Sequence, residues 1–448
     1  MAGFAASAMP VTMTAPTITP DQRPRPHSLG QLFWAFTWLA LQGFGGVLAV
    51  VQRELVERRR WITNDEFIED WAAAQILPGP NVVNLSIMVG DRYFGLRGAL
   101  VAVAGMLLLP MLLLLAVATV VGYLFQRYTG LPKVVGYSLV GTAAGLAGFS
   151  GAVWPLQGIG LFLLELGISI VLFECGGRIP LRWFRHNPMV LVQSMAESAL
   201  TYFAVYWVLV WLDMPAHVAG PLALVALAAS PAVLTRVVAD TRAAGPVTER
   251  AIVLATLSTL YALTLGSARA EQINRQSVTL LDTMYPVVVV LGVSIIVAAV
   301  LSLALRMALR FMSPTSENTS MLLLALIAAA TAVAAHMGGS APLAALLGGM
   351  LLKQLNPRPW AWPRQLGNAS SLLTMLMFVL VSTVAAQADW SGPVVGVVLT
   401  LIAVRLAAKA VGVGLGNVGS GASWRQALWV GCAMTPMSSI ALLIASQF

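Results

Sequence analysis

The sequence predicts an all-α, polytopic membrane protein of about 13 transmembrane helices, some of them broken or re-entrant. Of its 448 residues, 58% are hydrophobic and only 10% are charged, whereas soluble proteins carry about 25% charged residues. Seven runs without Asp, Glu, Lys or Arg each reach the roughly 20 residues that a bilayer-crossing helix needs. This composition argues against a soluble enzyme, a disordered chain and a nucleic-acid binder. The runs are Leu32–Gln52, Gly98–Gln126, Met214–Thr235, Thr283–Leu305, Asn318–Leu352, Gln365–Ala388 and Gln426–Phe448.

The charge distribution predicts which membrane the protein occupies and which of its loops lie in the cytoplasm. Lys and Arg total 26 against 18 acids, a net charge of +8. The basic residues lie in short connections, which is typical of cytoplasmic loops. We therefore expect a multi-pass protein of a bacterial-type inner (plasma) membrane, with the lipid bilayer and no nucleic acid as partner. Cys175 and Cys432 are too few for a disulfide framework or a metal site, and we expect no cofactor.

The first third of the chain alternates between polar and broken segments. Residues 1–29 are rich in Pro, Thr and Ala and predict a disordered N-terminal tail. Arg53–Asp70 is a polar amphipathic stretch that should lie in the cytoplasm. Trp71–Gly90 is uncharged but contains Pro78-Gly79-Pro80. Because proline and glycine free backbone groups that lipid cannot satisfy, this segment should be re-entrant or discontinuous and buried in protein or in a watery cavity.

Two long apolar runs need to be bent or divided. Gly98–Gln126 has 29 residues, long for one helix and short for two, so we expect Pro110 to kink or divide it. Asn318–Leu352 contains a glycine pair beside His336, so we split it there into two helices.

Glycines, prolines and amides near the broken segment predict an anion site. The exposed N-termini of broken helices offer N–H donors and the positive end of the helix dipole. An arginine could supply a counter-charge. The alternative is structural: the glycines serve close helix packing and the prolines a turn. The candidate substrate-binding residues are Phe44, Gly45, Gly46, Pro78, Gly79, Pro80, Asn81, Asn84 and Arg92.

These motifs resemble the first repeat of the chromate ion transporter family, over about residues 30–155. The resemblance implies an inner-membrane transporter of an oxyanion, either chromate or its structural mimic sulfate. It assigns Gly45, Gly46 and Pro78-Gly79-Pro80 to the transport pathway. Members have two repeats or one repeat that pairs as a dimer, so a homodimer is one alternative. The matching segments are Phe44–Gly46, Trp61–Phe67, Gln75–Pro80, Asn84, Gly90–Gly98, Pro110, Leu131-Pro132 and Gly141–Gly151.

No second Phe-Gly-Gly or Pro-Gly-Pro follows residue 155, and residues 156–448 instead resemble the monovalent cation:proton antiporters. Ser230-Pro231 is similar to that family's first broken helix. The sequence predicts two membrane modules, one chromate-transporter-like over 30–155 and one antiporter-like over 156–448. The remaining matching segments are Gly158–Gly177, Ser340–Leu352, Arg405 with Lys409, and Ala427–Ile440.

The antiporter-like part of the sequence lacks the carboxylates on which proton-coupled antiport depends. The resemblance implies one or two carboxylates on the helix that crosses the first broken one, which should be Ala251–Ala268. Ser258 and Thr259 occupy that position instead. A hydroxyl can ligate a cation but cannot exchange a proton near neutral pH. This departure makes the usual proton-coupled cation exchange doubtful.

A few charges remain inside predicted spans, where each is a functional candidate by default. Glu165 or Glu197 could carry a coupling proton, and Arg405 could hold the two broken helices or the substrate. The structural alternative is interhelical pairing for Arg405 and interfacial placement for Lys409. The predicted ion or proton pathway consists of Glu165, Glu197, Ser258, Thr259 and Arg405.

Three functional hypotheses remain. The first is a secondary-active inner-membrane transporter of chromate or a related oxyanion such as sulfate, with protons as one candidate coupling ion. The second is a sodium or potassium:proton antiporter. The third is a membrane subunit that transports nothing. None of the three is an enzyme.

Overall fold

A computed structural model of the protein describes residues 24–42, 47–77, 81–147, 158–179, 181, 184, 187–275, 280–313, 316–356, 364–437, 441 and 444. These residues form sixteen α-helices and one π-helical turn, Arg53–Arg58, with no β-strand among them. The predicted all-α fold is confirmed. Of the predicted N-terminal tail, residues 1–23 lie outside the described residues. The helices are α1 (Leu29–Gln42), α2 (Val47–Gln52), α3 (Asn64–Ile76), α4 (Asn81–Thr129), α5 (Lys133–Leu146), α6 (Gly158–Gly176), α7 (Met189–Trp211), α8 (Ala216–Leu227), α9 (Pro231–Thr241), α10 (Pro246–Arg275), α11 (Leu280–Phe311), α12 (Glu317–His336), α13 (Ala341–Leu355), α14 (Arg364–Ala386), α15 (Gly392–Leu415) and α16 (Trp424–Ala433).

Six helical segments of the described chain are long and apolar enough to cross a bilayer. Their outer faces suit lipid: on α11, Ile296, Val300, Leu303 and Met307 form an exposed apolar stripe at helical spacing. The polytopic fold is thus confirmed, while the total of about 13 spans, which includes shorter helices, stays a prediction. The six segments are Asn81–Thr129, Pro246–Ala270, Met284–Phe311, Glu317–His336, Gly367–Ala386 and Gly392–Leu415.

Helix α4 is divided, but not at the predicted proline. Pro110 lies inside a continuous helical stretch, whereas Phe94 and Gly95 have non-helical backbone angles. Gly95 has φ +59° and ψ −153°, a combination that residues with a Cβ rarely adopt. Gly90 and Gly98 lie in close backbone contact: a Cβ on Gly90 would lie 2.7 Å from the Gly98 carbonyl carbon. Residues eight apart in an α-helix are about 12 Å apart, so the chain reverses here, and the glycines rather than Pro110 set the break.

The second predicted division is confirmed. Helix α12 ends at His336 and α13 begins at Ala341. Gly338 between them has φ +77°, a left-handed conformation that glycine adopts at helix ends. The uncharged run over Asn318–Leu352 is therefore two helices joined by a tight turn.

The chain divides into two compact units, residues 1–111 and 112–448. In the first, α1 packs its apolar face into a cluster that includes Phe36, Trp61 and Leu85, and the Thr37 hydroxyl donates to the Gly105 carbonyl (2.9 Å). In the second, the largest buried cluster gathers around α10. The predicted module boundaries at residues 29/30 and 155/156 stay predictions.

Candidate functional site

The second unit contains a helix that is interrupted midway. Helix α8 ends at Leu227 and α9 begins at Pro231, with Ala228 and Ser230 in extended conformations. The Ser230 hydroxyl accepts a hydrogen bond from the Val233 N–H (3.2 Å). Serine as N-cap followed by proline as first helical residue is a strong helix-start signal. The sequence therefore stops one helix and starts another within three residues, as the Ser230-Pro231 motif predicts.

A second interruption lies against the first. Helix α16 ends at Ala433, and Met437 forms an antiparallel β-bridge with Ala229. We call this contact, formed by residues 228–230 and 434–437, the crossing. Residues 438–440 of the matching segment Ala427–Ile440 lie outside the described residues. Two non-helical segments thus meet inside the bundle, where their backbone groups need partners.

Arg405 supplies three of those partners. Its Nε donates to the Ala226 carbonyl (2.7 Å), and its Nη2 donates to the Ala228 carbonyl (2.8 Å). Its Nη1 donates to the Thr435 carbonyl on the other interrupted helix. The carbonyls at a helix C-terminus lack intrahelical partners and carry the negative end of the dipole. A buried arginine, 3% exposed, therefore holds both interruptions together, which is one of the two roles the sequence predicts for it.

Glu197 and Lys409 form a second charged contact beside the crossing. Lys409 Nζ pairs with Glu197 Oε1, and both side chains are fully buried. Lys409 Nζ also donates to the Leu227 carbonyl, the last residue of α8 (3.2 Å). Two hydroxyls complete the surroundings of the carboxylate, Ser198 Oγ at 3.2 Å and Thr201 Oγ1 at 3.4 Å. The interfacial placement expected for Lys409 is wrong, because close contact between α7 and α15 encloses it.

Ser258 and Thr259 lie where the antiporter resemblance implies carboxylates, and their hydroxyls bind backbone carbonyls. Thr259 Oγ1 on α10 lies 2.8 Å from the carbonyls of both Ala229 and Ala255, and Ser258 Oγ donates to the Ala255 carbonyl (3.2 Å). Both residues are fully buried. Helix α10 therefore contacts the crossing where the resemblance places it, but with neutral groups that support the interruption.

Glu165 is apart from this cluster. It lies half-buried on α6, a helix that packs mainly against α13. The described residues offer it neither a hydrogen-bond partner nor an ion pair. The structure thus brings together Glu197, Ser258, Thr259 and Arg405 of the predicted pathway, and adds Lys409.

In the first unit, most of the predicted anion site lies outside the described residues: Phe44, Gly45, Gly46, Pro78, Gly79 and Pro80. Its flanks are described. Helix α3 ends at Ile76 and α4 begins at Asn81, so a helix N-terminus follows the Pro-Gly-Pro segment directly. Asn84 Nδ2 donates to the carbonyls of Ala74 (3.0 Å) and Leu77 (3.1 Å). Asn84 therefore fastens the end of α3 to the start of α4.

Arg92 is paired with a carboxylate that the sequence does not single out. Its Nη2 lies 2.7 and 2.8 Å from the two carboxylate oxygens of Asp70. Burial raises the pKa of Asp70, and the guanidinium opposes that shift. Because the two residues are 22 positions apart on different helices, no spacing rule connects them. For Arg92 to serve as a substrate's counter-charge, this ion pair would have to open.

An all-α bundle of long apolar helices, with two interruptions joined by the buried Arg405 side chain, defines a polytopic membrane protein. The sodium proton antiporter MjNhaP1 from Methanocaldococcus jannaschii at pH 8 superposes with a TM-score of 0.58 at 15% identity, over 75% of this chain and 84% of that one. An electron-microscopy structure of the same antiporter gives a TM-score of 0.60 at 14% identity, over 76% and 85%. At this identity the likeness concerns the fold alone.

Residues 30–231 match the chromate transporter family model. The likeness to that family therefore extends beyond residue 155 and includes α7 with Glu197. A chromate transport protein of Cupriavidus metallidurans is 29% identical over 204 residues, 44% of this chain and 43% of the relative. A probable chromate transport protein of Synechococcus elongatus is 32% identical over 151 residues, 32% and 37% of the two chains. The chain thus spans less than half the length of these curated relatives.

Proposed function

We propose that this chain is a secondary-active transporter that moves chromate, or a related oxyanion such as sulfate, across the inner membrane. The observation that carries the proposal is the charge at the crossing. Two cations, Arg405 and Lys409, and one carboxylate, Glu197, are buried there. The family match over residues 30–231 and the names of the curated relatives agree with an anion as substrate.

The arrangement of these charges favours an anion over a cation. The carboxylate of Glu197 is already paired with Lys409, so an entering cation would have to displace an ammonium group. A guanidinium has five N–H donors, and the described carbonyls occupy three of those of Arg405. Its remaining donors and its charge are what an oxyanion would need in a low-dielectric bundle.

The first unit supports the same substrate class. The N-terminus of α4 follows Pro78-Gly79-Pro80, and the N–H groups of a helix's first turn and the positive end of its dipole suit an anion. We propose that Gly45, Gly46 and the Pro-Gly-Pro segment receive the oxyanion, with Asn81 and Asn84 bordering it. The hydrogen bonds of Asn84 would keep the end of α3 and the start of α4 in register.

The second candidate function is monovalent cation:proton antiport, favoured by the fold of the bundle. Its weakness is chemical. On α10, the Thr259 hydroxyl binds the Ala229 carbonyl of the crossing, and the Ser258 hydroxyl binds the Ala255 carbonyl of α10 itself. Hydroxyls do not release protons near neutral pH. A further alternative, a membrane subunit that transports nothing, predicts no flux from the purified chain.

Replacing Pro78 and Pro80 together by alanine is expected to reduce chromate flux at least tenfold, about 1.4 kcal/mol in transition-state free energy. Alanine would allow α3 and α4 to extend toward each other and would remove the N-terminus of α4. Uptake or efflux of labelled chromate in cells that express each form measures this. Pro110→Ala, within the continuous part of α4, is the matched control. Equal flux in the double variant and the natural protein would contradict the role of this segment.

A further inference from the structure

We infer that Glu197 is a proton-binding site whose protonation favours the binding of an anion at the crossing. The inference rests on the proposed function and specifies its coupling: a proton and an oxyanion would bind together rather than compete. It places the proton site on α7, not on α10, where the antiporter resemblance implies the carboxylates.

The charge count at the crossing gives the sign of the coupling. With Glu197 ionised, the cluster of Glu197, Lys409 and Arg405 has a net charge of +1. With a proton on the carboxylate and Lys409 still an ammonium, the net charge is +2. All three side chains are buried, where charges are weakly screened and interact strongly. The protonated cluster therefore attracts an anion more strongly than the ionised one.

Lys409 is placed to transmit this change. It contacts Glu197 on α7 and the Leu227 carbonyl at the end of α8. When Glu197 is neutral, the ammonium loses its counter-charge, and its remaining described contact is that carbonyl. Arg405 holds the next carbonyls, Ala226 and Ala228. Both cations then lie at one helix end, and no other described acidic side chain pairs with them. An anion could compensate their charge.

The other helices packed against α7 are α8 and α10, and neither brings a second acid to this level. On α8 the titratable side chain is His217, about 15 Å from Leu227 along the helix. Thr259 marks the level of the crossing on α10. The nearest titratable side chain there is Tyr261, whereas Glu249, Arg250 and Arg269 are about 14–15 Å away along that helix.

A polar path leads along α7 to the carboxylate. Gln193 and Ser194 lie one turn before Glu197, and both are fully buried. Gln193 Nε2 donates to the Val413 carbonyl (2.8 Å), but Gln193 Oε1 and Ser194 Oγ have no hydrogen-bond partner among the described residues. Buried polar atoms without protein partners are typical sites of ordered water. Water there would connect Glu197 toward the N-terminal end of α7, which begins at Met189.

Chromate binding to the purified full-length protein tests this inference. The probe is labelled chromate in equilibrium dialysis above neutral pH, where chromate itself remains a dianion. For the natural protein we expect affinity to fall as pH rises, by at most about tenfold per pH unit, the limit for one linked proton. Glu197→Gln should bind tightly with no dependence on pH.

A second variant keeps the test valid if Glu197→Gln fails to fold. Glu197→Gln with Lys409→Met leaves a neutral pair and the +1 charge of Arg405, so it should bind chromate weakly at every pH. Glu174→Gln, which removes a glutamate paired with Arg178 on α6, is the matched control and should keep the natural slope. A natural slope in either Glu197 variant would overturn this inference alone. No chromate binding by the natural protein at any pH would overturn the proposed function with it.

Discussion

Replacing Arg405 by glutamine is expected to destabilise the second unit by roughly 3 kcal/mol and to abolish ion flux. Each hydrogen bond from a charged group contributes about 1.5–3 kcal/mol, and Arg405 makes three to carbonyls at the two interruptions. Glutamine cannot reach all three, so buried carbonyls lose their partners. Thermal unfolding of the purified protein in detergent measures the stability, and flux in vesicles measures transport.

Two further variants separate charge from geometry at this position. Arg405→Lys keeps the charge but loses the planar fork that reaches three acceptors, so we expect it to be nearly as damaging as glutamine. Arg425→Gln removes an exposed arginine of α16 and should change neither melting temperature nor flux. An unchanged melting temperature in Arg405→Gln would show that the guanidinium does not hold the crossing together.

Gly412→Ala is expected to cost about 1–3 kcal/mol, the usual penalty for inserting a group into a packed interface. A Cβ at this position would lie 2.5 Å from the Cα of Glu197, so α7 and α15 would have to separate. Gly416, one turn later, is equally close to Gln193, and small residues four apart allow such close helix packing in membranes. Separation would also pull Glu197 and Lys409 apart, so flux should fall with stability.

Gly396→Ala is the matched control on the same helix, because a Cβ there meets nothing within 4 Å. It should leave the melting temperature unchanged or raise it slightly, since alanine is the better helix former by up to about 1 kcal/mol. If the two glycine variants unfold at the same temperature, close packing of α7 on α15 is not what stabilises this part of the bundle.

Local signals in the sequence predicted the interruptions well. Ser230-Pro231 combines a capping hydroxyl with a proline, and the glycines beside His336 end a helix, so short-range chemistry determines both breaks. Pro110 does not divide the run Gly98–Gln126, because neighbouring groups inside a membrane bundle can compensate a proline's missing hydrogen bond. Gly95 provides the backbone conformation that the reversal needs.

Charged partners were harder to predict, because they depend on which helices meet. Arg405 and Lys409 are four residues apart on one face of α15. The expectation of an interfacial Lys409 did not take into account that α7 packs against this face. The glycines at 412 and 416, which bring α7 close, were the signal that could have revealed this contact. Asp70 and Arg92 gave no such signal, since only the tertiary fold of the first unit brings them together.

Ion flux in vesicles reconstituted with the purified full-length chain shows whether this protein carries an oxyanion or a monovalent cation. One arm follows labelled chromate, and the other follows a pH-sensitive dye after sodium or potassium is added without chromate. We expect chromate accumulation in the first arm and no proton movement in the second. Proton movement driven by sodium or potassium without chromate accumulation, or no flux in either arm, would contradict the proposed function.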